Sequence, residues 1–289
     1  MNAYFARQLN KRRLMFPIST LEQQDLKKHD RGSLSWRSIE NPVLQEFPID
    51  TILKWKQIVG AGVDGFVSII ELYGGEKRVV KVYWEQDHPK DLTYWAFQRE
   101  YQNAAIISII KAQARTAEAD GRNIFLYDSP CNEAQVEENL HAFFPKEQQG
   151  SIPPESSIVP FGHIEKLQQS YGWLKIDAQE LVEKCKRMGS IPGYTKCRKL
   201  QRHLLNSGDY YGIVYDYVEK GENDFEQITR QQSLYLRLGF LFDGRYLEQN
   251  WRDSILVDLS DIVAFNKLDW SINNYRACLY NFSTTKVKV

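Results

Sequence analysis

Three glycines within six residues carry the clearest chemical signal in the chain. Gly60, Gly62 and Gly65 follow the pattern Gly-x-Gly-x-x-Gly, and Val67 comes two residues later. Because glycine has no Cβ, the backbone N–H groups around it can approach a phosphate closely. A dinucleotide-binding fold would need these glycines to open a helix, but here they lie between two predicted strands. On its own the pattern fits an ordinary glycine-rich hairpin turn best, and a hairpin that covers phosphates is the functional alternative.

Lys81 and Glu100 supply charged side chains that suit the same chemistry. Lys81 stands in a run of β-branched residues that predicts a strand, and Glu100 follows 19 residues later on a predicted helix. The placement is similar to that in protein kinases, where a helix glutamate pairs with a lysine on the third strand and holds its ammonium group towards the phosphates of a nucleotide. The cofactor-binding candidates from these two steps are Gly60, Gly62, Gly65, Lys81 and Glu100.

These residues need a sheet and a helix to bring them together. Alternating and β-branched residues predict strands over 52–59, 66–72 and 78–84, with a glycine turn between the second and third. A helix is predicted from Asp91, which can cap it, to about residue 112. The predicted arrangement is a hairpin, a third strand that carries the lysine, and a helix that carries the glutamate.

The whole chain divides into three parts, and the expected fold class is α+β. Residues 1–50 predict a polar leader, 51–218 an N-terminal lobe with a long irregular insertion at about 113–200, and 219–289 a short C-terminal lobe. Further strands are predicted over 123–127, 211–218 and 254–259, and further helices over 178–188 and 225–238.

Composition and charge limit the partners and the cellular locations that we expect for the chain. The 37 Lys and Arg residues balance the 37 Asp and Glu residues, which excludes binding to nucleic acid or membrane through bulk charge alone. The four cysteines form no Cys-x-x-Cys pair, so we expect reduced thiols and a cytoplasmic or nuclear location. No apolar run approaches about 20 residues, and no DNA-binding motif is recognised, so neither a membrane nor DNA is an expected partner.

The chain resembles the protein-kinase fold over roughly residues 50–260, and more narrowly fungal proteins grouped with a kinetochore-subunit family. The segments that carry the resemblance are 60–67, 99–104, 214–219, 250–251 and 256–260. The resemblance implies a protein-kinase-like two-lobe fold with a β-rich N-lobe, a large insertion and a truncated helical C-lobe. It also implies ATP and Mg²⁺ as cofactors, with Asp258 as the metal ligand.

The catalytic residues of an active kinase are incomplete. Phosphoryl transfer needs an Asp that accepts the hydroxyl proton and an Asn five residues later. Asp243 is the best candidate for the Asp, but position 248 is Glu248, and Asn250 comes two residues late. Only 31 residues follow Asp258, too few for an activation segment and the helices that bind a protein substrate.

A second register is also incomplete. It places the metal ligand at Asp269, where Gln249 would replace the base and Ser254 the Asn. From both registers we expect a pseudoenzyme that binds a nucleotide, a protein partner or both, without ordinary protein kinase activity.

The alternative hypothesis is an enzyme of fungal secondary metabolism. In size and solitary character the chain resembles tRNA-dependent arginine-containing cyclodipeptide synthases, whose associated motif is Asp-Asp-x-x-Glu. The sequence contains no Asp-Asp pair, and the nearest match is Asp216-x-x-Glu219, with Asp224 shortly after it. Such carboxylates could bind a guanidinium group in bidentate fashion, so these three are the catalytic candidates. A solvated acidic linker is the simpler explanation of these carboxylates.

A basic cluster at residues 184–203 bears on the same alternative. It could bind an acidic partner such as charged tRNA, or it could be a solvated helix face. Its members are Lys184, Lys186, Arg187, Lys196, Arg198, Lys199, Arg202 and His203.

Overall fold

The computed structural model describes residues 36–87, 95–144, 155–189, 195–197, 200–242 and 248–285, which form a mixed α+β protein, as the sequence predicts. The strands are β1 (Ile52–Ala61), β2 (Gly65–Leu72), β3 (Lys77–Tyr83), β4 (Phe125–Tyr127), β5 (Ser156–Ile158), β6 (Ser170–Asp177), β7 (Thr195–Cys197), β8 (Leu200–Arg202), β9 (Asp209–Asp216), β10 (Leu241–Phe242), β11 (Trp251–Arg252), β12 (Ile255–Leu256) and β13 (Ile262–Val263). The helices are α1 (Trp36–Glu40), α2 (Ala96–Ala119), α3 (Glu133–His141), α4 (Phe161–Glu165), α5 (Ala178–Arg187), α6 (Phe225–Arg237) and α7 (Ile272–Thr285).

A five-stranded antiparallel sheet in the order β1-β2-β3-β9-β6 is the centre of the fold. The turn between β2 and β3 contains Gly74 and Gly75, with φ of 109° and 86°, a conformation that favours glycine. The three predicted strands and the glycine turn are therefore confirmed, with each strand end within two residues of the expected position.

Alternation along β3 gives its two faces different roles, since successive side chains of a strand point to opposite faces. Val80 and Val82 are fully buried in a core between the sheet and α5. Tyr83 packs on Phe97 of α2, with ring centroids 5.4 Å apart, in the core on the other face. Lys81, between the two valines, therefore faces the α2 side.

Helix α2 begins at Ala96 and continues to Ala119, beyond the predicted end. Its N-cap is Trp95, whose side chain makes no capping hydrogen bond. The predicted cap, Asp91, lies outside the described residues. The helix is buried on most of its surface, so its length is set by packing rather than by capping signals.

The expectation of an irregular insertion at 113–200 is wrong for β6, which forms the edge of the main sheet beside β9. A register shift between Ser170 and Gly172 interrupts the regular alternation, which is why the sequence did not indicate a strand. Helix α5 follows directly and confirms the helix predicted over 178–188, with Gly189 (φ 74°) just past its end.

The end of the predicted leader is part of the fold. Ile39, Leu44 and Phe47 are buried in the two cores. The backbone N–H of Phe47 donates to the carbonyl of Trp173 at 2.6 Å, which attaches this segment to β6. Residues 1–35, the rest of the predicted leader, lie outside the described residues.

The C-terminal part confirms helix α6 but shortens the last predicted strand. Only Ile255–Leu256 is extended, because Ser254 has a φ of 62° and Asp258 caps a 3-10 turn over Leu259–Asp261. Within the described residues, no helix combines the length and hydropathy needed to cross a membrane.

Gly172 provides a test of how β6 is anchored. It has a φ of 142°, and a Cβ there would lie 2.6 Å from the carbonyl oxygen of Gln45. We expect Gly172→Ala to lower the free energy of unfolding by about 1–3 kcal/mol through backbone strain alone, measured by urea denaturation. The control is Gly162→Ala in α4, where a Cβ meets nothing within 4 Å. Equal midpoints for both variants would contradict this account.

Candidate functional site

Lys81 lies at the centre of the site, where it binds two carboxylates from distant parts of the chain. Its Nζ is 2.6 Å from Glu100 Oε2 and 2.7 Å from Asp258 Oδ1. The lysine is only 8% exposed. An ammonium group at this depth needs opposite charges, because burial without them strongly disfavours its charged form.

Helix α2 positions the site through two buried residues on one face. Glu100 is 0% exposed, and the hydroxyl of Tyr215 donates to its second oxygen, Oε1, at 2.9 Å. Asn103, three residues later on the same face, donates through Nδ2 to the carbonyls of Leu259 and Ile262 at 2.8 and 2.7 Å. One helix therefore holds both the lysine and the segment that carries Asp258.

The carboxylate of Asp258 is engaged through one of its two oxygens. Oδ1 accepts hydrogen bonds from Lys81 Nζ, from the backbone N–H of Ser260 at 3.2 Å and from Ser260 Oγ at 2.6 Å. Within the described part of the chain, every hydrogen bond to this carboxylate ends on Oδ1. The side chain lines the cleft and is 33% exposed, so the carboxylate is not sealed off from it.

The charges in this group stabilise one another. Burial lowers the pKa of Lys81, but the carboxylates of Asp258 and Glu100 outweigh it and raise that pKa above its ordinary value. Burial would raise the pKa of Asp258, whereas the Lys81 ammonium lowers it below its usual range. Burial raises the pKa of Glu100, against the opposing effect of Lys81. Lys81 and Asp258 are therefore held in their charged forms.

This group opens onto a cleft of about 1270 Å³ between the main sheet and the C-terminal segment. The sheet side includes Val59, Gly60, Gly62, Val63, Asp64, Gly65, Val67, Val79 and Lys81. The opposite side includes Gln249, Asn250, Arg252, Val257, Asp258, Ser260, Asp261 and Asp269. All the cofactor-binding candidates except the fully buried Glu100 therefore line one cleft.

The glycine loop, residues 60–65, borders the cleft, but the surroundings of its three glycines differ. A Cβ on Gly65 would lie 2.1 Å from the carbonyl oxygen of Val82, so packing requires glycine there. Gly60 has nothing within 4 Å of a Cβ position, and the nearest atom to that of Gly62 is 3.9 Å away. Neither of these two has a left-handed φ. The bare backbone at both positions therefore suits close approach by a group from outside the chain.

Asp261 is a cleft residue that the sequence analysis did not assign. It accepts a hydrogen bond from Asn250 Nδ2, and the Asn250 side chain is buried beside it. Burial raises the pKa of Asp261 to about 6, and the negative charge of Asp258 adds to this effect. The signal in the sequence that could have found Asp261 is its position three residues after Asp258, at the end of a predicted strand. The described residues contain no group of three or more His, Cys, Asp or Glu side chains arranged to hold a metal.

The residues of the second register do not gather at Lys81. Asp269 pairs with Arg99 at 2.6 Å. Ser254 Oγ accepts the backbone N–H of Asp224 at 2.8 Å, at the start of α6. Gln249 lines the cleft. Asp243, the base of the first register, lies outside the described residues.

The three catalytic candidates of the synthase hypothesis have separate surroundings. Asp216 lines the cleft and pairs with Arg78 at 3.1 Å. Asp224 caps α6 by accepting two N–H groups of its first turn at 2.8 and 3.2 Å. Glu219 is exposed on the segment between them. Capping explains Asp224 on structural grounds, and a catalytic role for the three stays a prediction.

Part of the basic cluster is neutralised within α5. Lys184 pairs with Glu180 at 3.1 Å and Lys186 with Glu183 at 2.9 Å, both one helical turn apart. Residues 198–199 lie outside the described residues. A solvated helix face accounts for these two lysines.

Removal of Lys81 should leave two buried carboxylates without their cation. We expect Lys81→Met to lower the free energy of unfolding by about 3–5 kcal/mol near pH 8. The loss should shrink in acid, where the carboxylates protonate, and Lys81→Met/Glu100→Gln should recover part of it. The control, Lys77→Met at the exposed start of β3, should change stability by about 0.5 kcal/mol or less. Urea denaturation checks all three, and a double variant no more stable than the single one would contradict the pairing.

Asp261 should leave a signature in the pH dependence of stability. Its pKa rises from the ordinary 3.8 to about 6 on folding, so protonation favours the folded state. The stability that this group contributes is present at low pH and is lost as the pH rises through about 6. We therefore expect the wild type to lose stability relative to Asp261→Asn as the pH rises from 3.8 to about 6, measured by urea denaturation at each pH. Parallel curves for the two proteins would contradict the assignment.

Comparisons with known proteins give no independent assignment of this site. The chain matches no protein-family model, no curated protein and no solved structure.

Proposed function

We propose that the chain is a kinase-fold pseudoenzyme that binds a nucleotide in this cleft and acts through partners, without ordinary protein kinase activity. The observation that carries the proposal is the meeting of Lys81, Glu100 and Asp258 beside the glycine loop. In protein kinases a glycine-rich hairpin covers the phosphates, a lysine on the third strand pairs with a helix glutamate, and an Asp after a later strand binds Mg²⁺. The same residue types come here from β3, α2 and the turn after β12, in the same order along the chain.

The phosphate end of the ligand would lie between the glycine loop and Lys81. The open space at Gly60 and Gly62 admits close approach to the backbone. The ammonium group of Lys81 supplies a positive charge at the inner end of the cleft. Its two carboxylate partners keep it charged and fixed, which lowers the entropic cost of binding.

The apolar part of the cleft suits a flat base. Val59, Val67, Val79, Val218 and Val257 all line it. Apolar side chains beside a polar inner end match the usual composition of small-molecule sites.

Asp258 is the proposed ligand for Mg²⁺, with Asp261 beside it. Magnesium in nucleotide sites is held by one or two carboxylates together with the phosphates, rather than by an all-protein cage. The side chain of Asp258 lines the cleft and is partly exposed, and Asp261 adds a second carboxylate three residues later. The cation would therefore bind together with the nucleotide and neutralise the phosphate charge.

The proposal excludes ordinary phosphoryl transfer because neither sequence register supplies a complete set of catalytic residues. In the second register, Asp269 and Ser254 are engaged by Arg99 and by the start of α6. Phosphoryl transfer depends on positioned charges, so an incomplete set should cost several orders of magnitude in rate. What remains is a binding role, in which the chain presents a nucleotide-dependent surface to a protein partner.

Titration calorimetry with MgATP tests the proposal and separates the two registers. We expect Asp258→Asn to weaken MgATP binding about tenfold or more by removing a metal ligand, and Asp269→Asn to change it by less than about twofold. Adenosine, which has no phosphate, should bind both variants and the wild type equally. MgATP at about 100 times its Kd should stabilise the wild type by about 2.7 kcal/mol.

Two results would contradict the proposal. One is a folded wild type that MgATP neither binds nor stabilises. The other is phosphate transfer to a general protein substrate at about 1–100 per second, the range of active kinases. A loss of MgATP binding in Asp269→Asn but not in Asp258→Asn would move the metal ligand to the second register.

A further inference from the structure

The glycine loop is held by two side chains. Trp84 Nε1 donates to the carbonyl of Gly62 at 2.9 Å, and Arg202 Nε donates to the carbonyl of Val63 at 3.0 Å. The backbone N–H of Trp84 also donates to the carbonyl of Asp64 at 3.0 Å. Three consecutive carbonyl groups of the loop are therefore bound by Trp84 and Arg202.

The direction of these carbonyls fixes the direction of the neighbouring N–H groups. In a trans peptide the C=O and the following N–H point in opposite directions, and the described residues contain no cis peptide. The N–H groups of Val63 and Asp64 therefore point away from Trp84 and Arg202. Both loop residues line the cleft, whereas neither Trp84 nor Arg202 is among the described residues that line it. We take the side of the loop away from Trp84 and Arg202 to be its cleft side, where successive N–H groups of this kind would bind an anion.

Arg202 is itself fixed in place at the end of β8. Its Nη2 lies 3.2 Å from Glu85 Oε1, one residue beyond Trp84. The planar guanidinium can bind the loop carbonyl and this carboxylate at the same time through its rigid set of donors. Lysine, with a single ammonium group, cannot reproduce both contacts in this geometry.

We infer that Arg202 and Trp84 form a latch that positions the amides of the glycine loop for a polyphosphate. Arg202 is a positioning residue in this account, since it acts through the loop and need not touch the ligand. The inference rests on the proposed function for its ligand. The position of the loop, however, can be measured in protein without nucleotide.

Hydrogen exchange in nucleotide-free protein tests the latch directly. The N–H of Gly62 donates to the carbonyl of Gly65 at 2.7 Å. Protection of this N–H from exchange therefore reports that the hydrogen bond across the glycine loop is formed. We expect Arg202→Met to raise exchange at Gly62 about tenfold, and Arg202→Lys to restore part of the protection. The control is Lys186→Met, an equal loss of charge on exposed α5. Exchange in Arg202→Met equal to the control would overturn the latch.

Binding measurements separate the latch from simple charge attraction. We expect Arg202→Met to weaken MgATP binding about fivefold and leave adenosine binding unchanged, because only the phosphates meet the loop. Glu85→Ala removes a negative charge, so charge attraction alone would tighten MgATP binding. The latch predicts weaker MgATP binding by Glu85→Ala, because Arg202 loses the carboxylate that helps to hold it in place.

The outcomes remain distinguishable from failure of the proposed function. Tighter MgATP binding by Glu85→Ala, or equal losses of adenosine and MgATP binding by Arg202→Met, would overturn the latch. A wild type that binds neither ligand would contradict the proposed function. The exchange result at Gly62 would still decide whether Arg202 holds the loop.

Discussion

A buried ammonium group between two carboxylates is the constraint on which the arrangement of the molecule depends. Lys81 comes from the sheet, Glu100 from α2 and Asp258 from the C-terminal segment. The ammonium group of Lys81 would not keep its charge at this depth without the carboxylates, because the low dielectric penalises an unpaired ion far more than a paired one. Pairing therefore fixes the distance between the sheet, the helix and the segment that together border the cleft.

Stability alone does not explain why charges occupy this position. A well-packed apolar group of similar volume often stabilises a protein as much as a buried ion pair or more. Apolar packing lies directly beside these charges, since the rings of Tyr83 and Phe97 pack against each other there. Within the described residues no hydrogen bond ends on Oδ2 of Asp258, and the proposed nucleotide site would give this oxygen a use that folding does not.

Local pattern was sufficient where the structure depends on local rules. The hairpin, β3 and the helix carrying Glu100 follow from alternation, β-branching and helical spacing. The meeting of Lys81 with Glu100 was expected from the protein-kinase pattern laid over those elements. The pattern failed where a contact links distant residues or a bulge breaks the period. Gly172 hides the edge strand β6, while the roles of Asn103 and Asp261 emerge only when α2 meets the 3-10 turn 156 residues further along. Contacts such as Arg202 with Val63 have no local signal at all.

The glycine loop shows how fold and ligand make separate demands on neighbouring positions. Gly65 is fixed by the approach of the Val82 carbonyl, so any protein with this hairpin would need it. Gly60 and Gly62 have no such neighbour, and their backbone conformations are open to other residues. A glycine there costs conformational entropy on folding without any return in packing. Under the proposed function that cost is offset by a ligand that approaches the backbone at these two positions, both of which line the cleft.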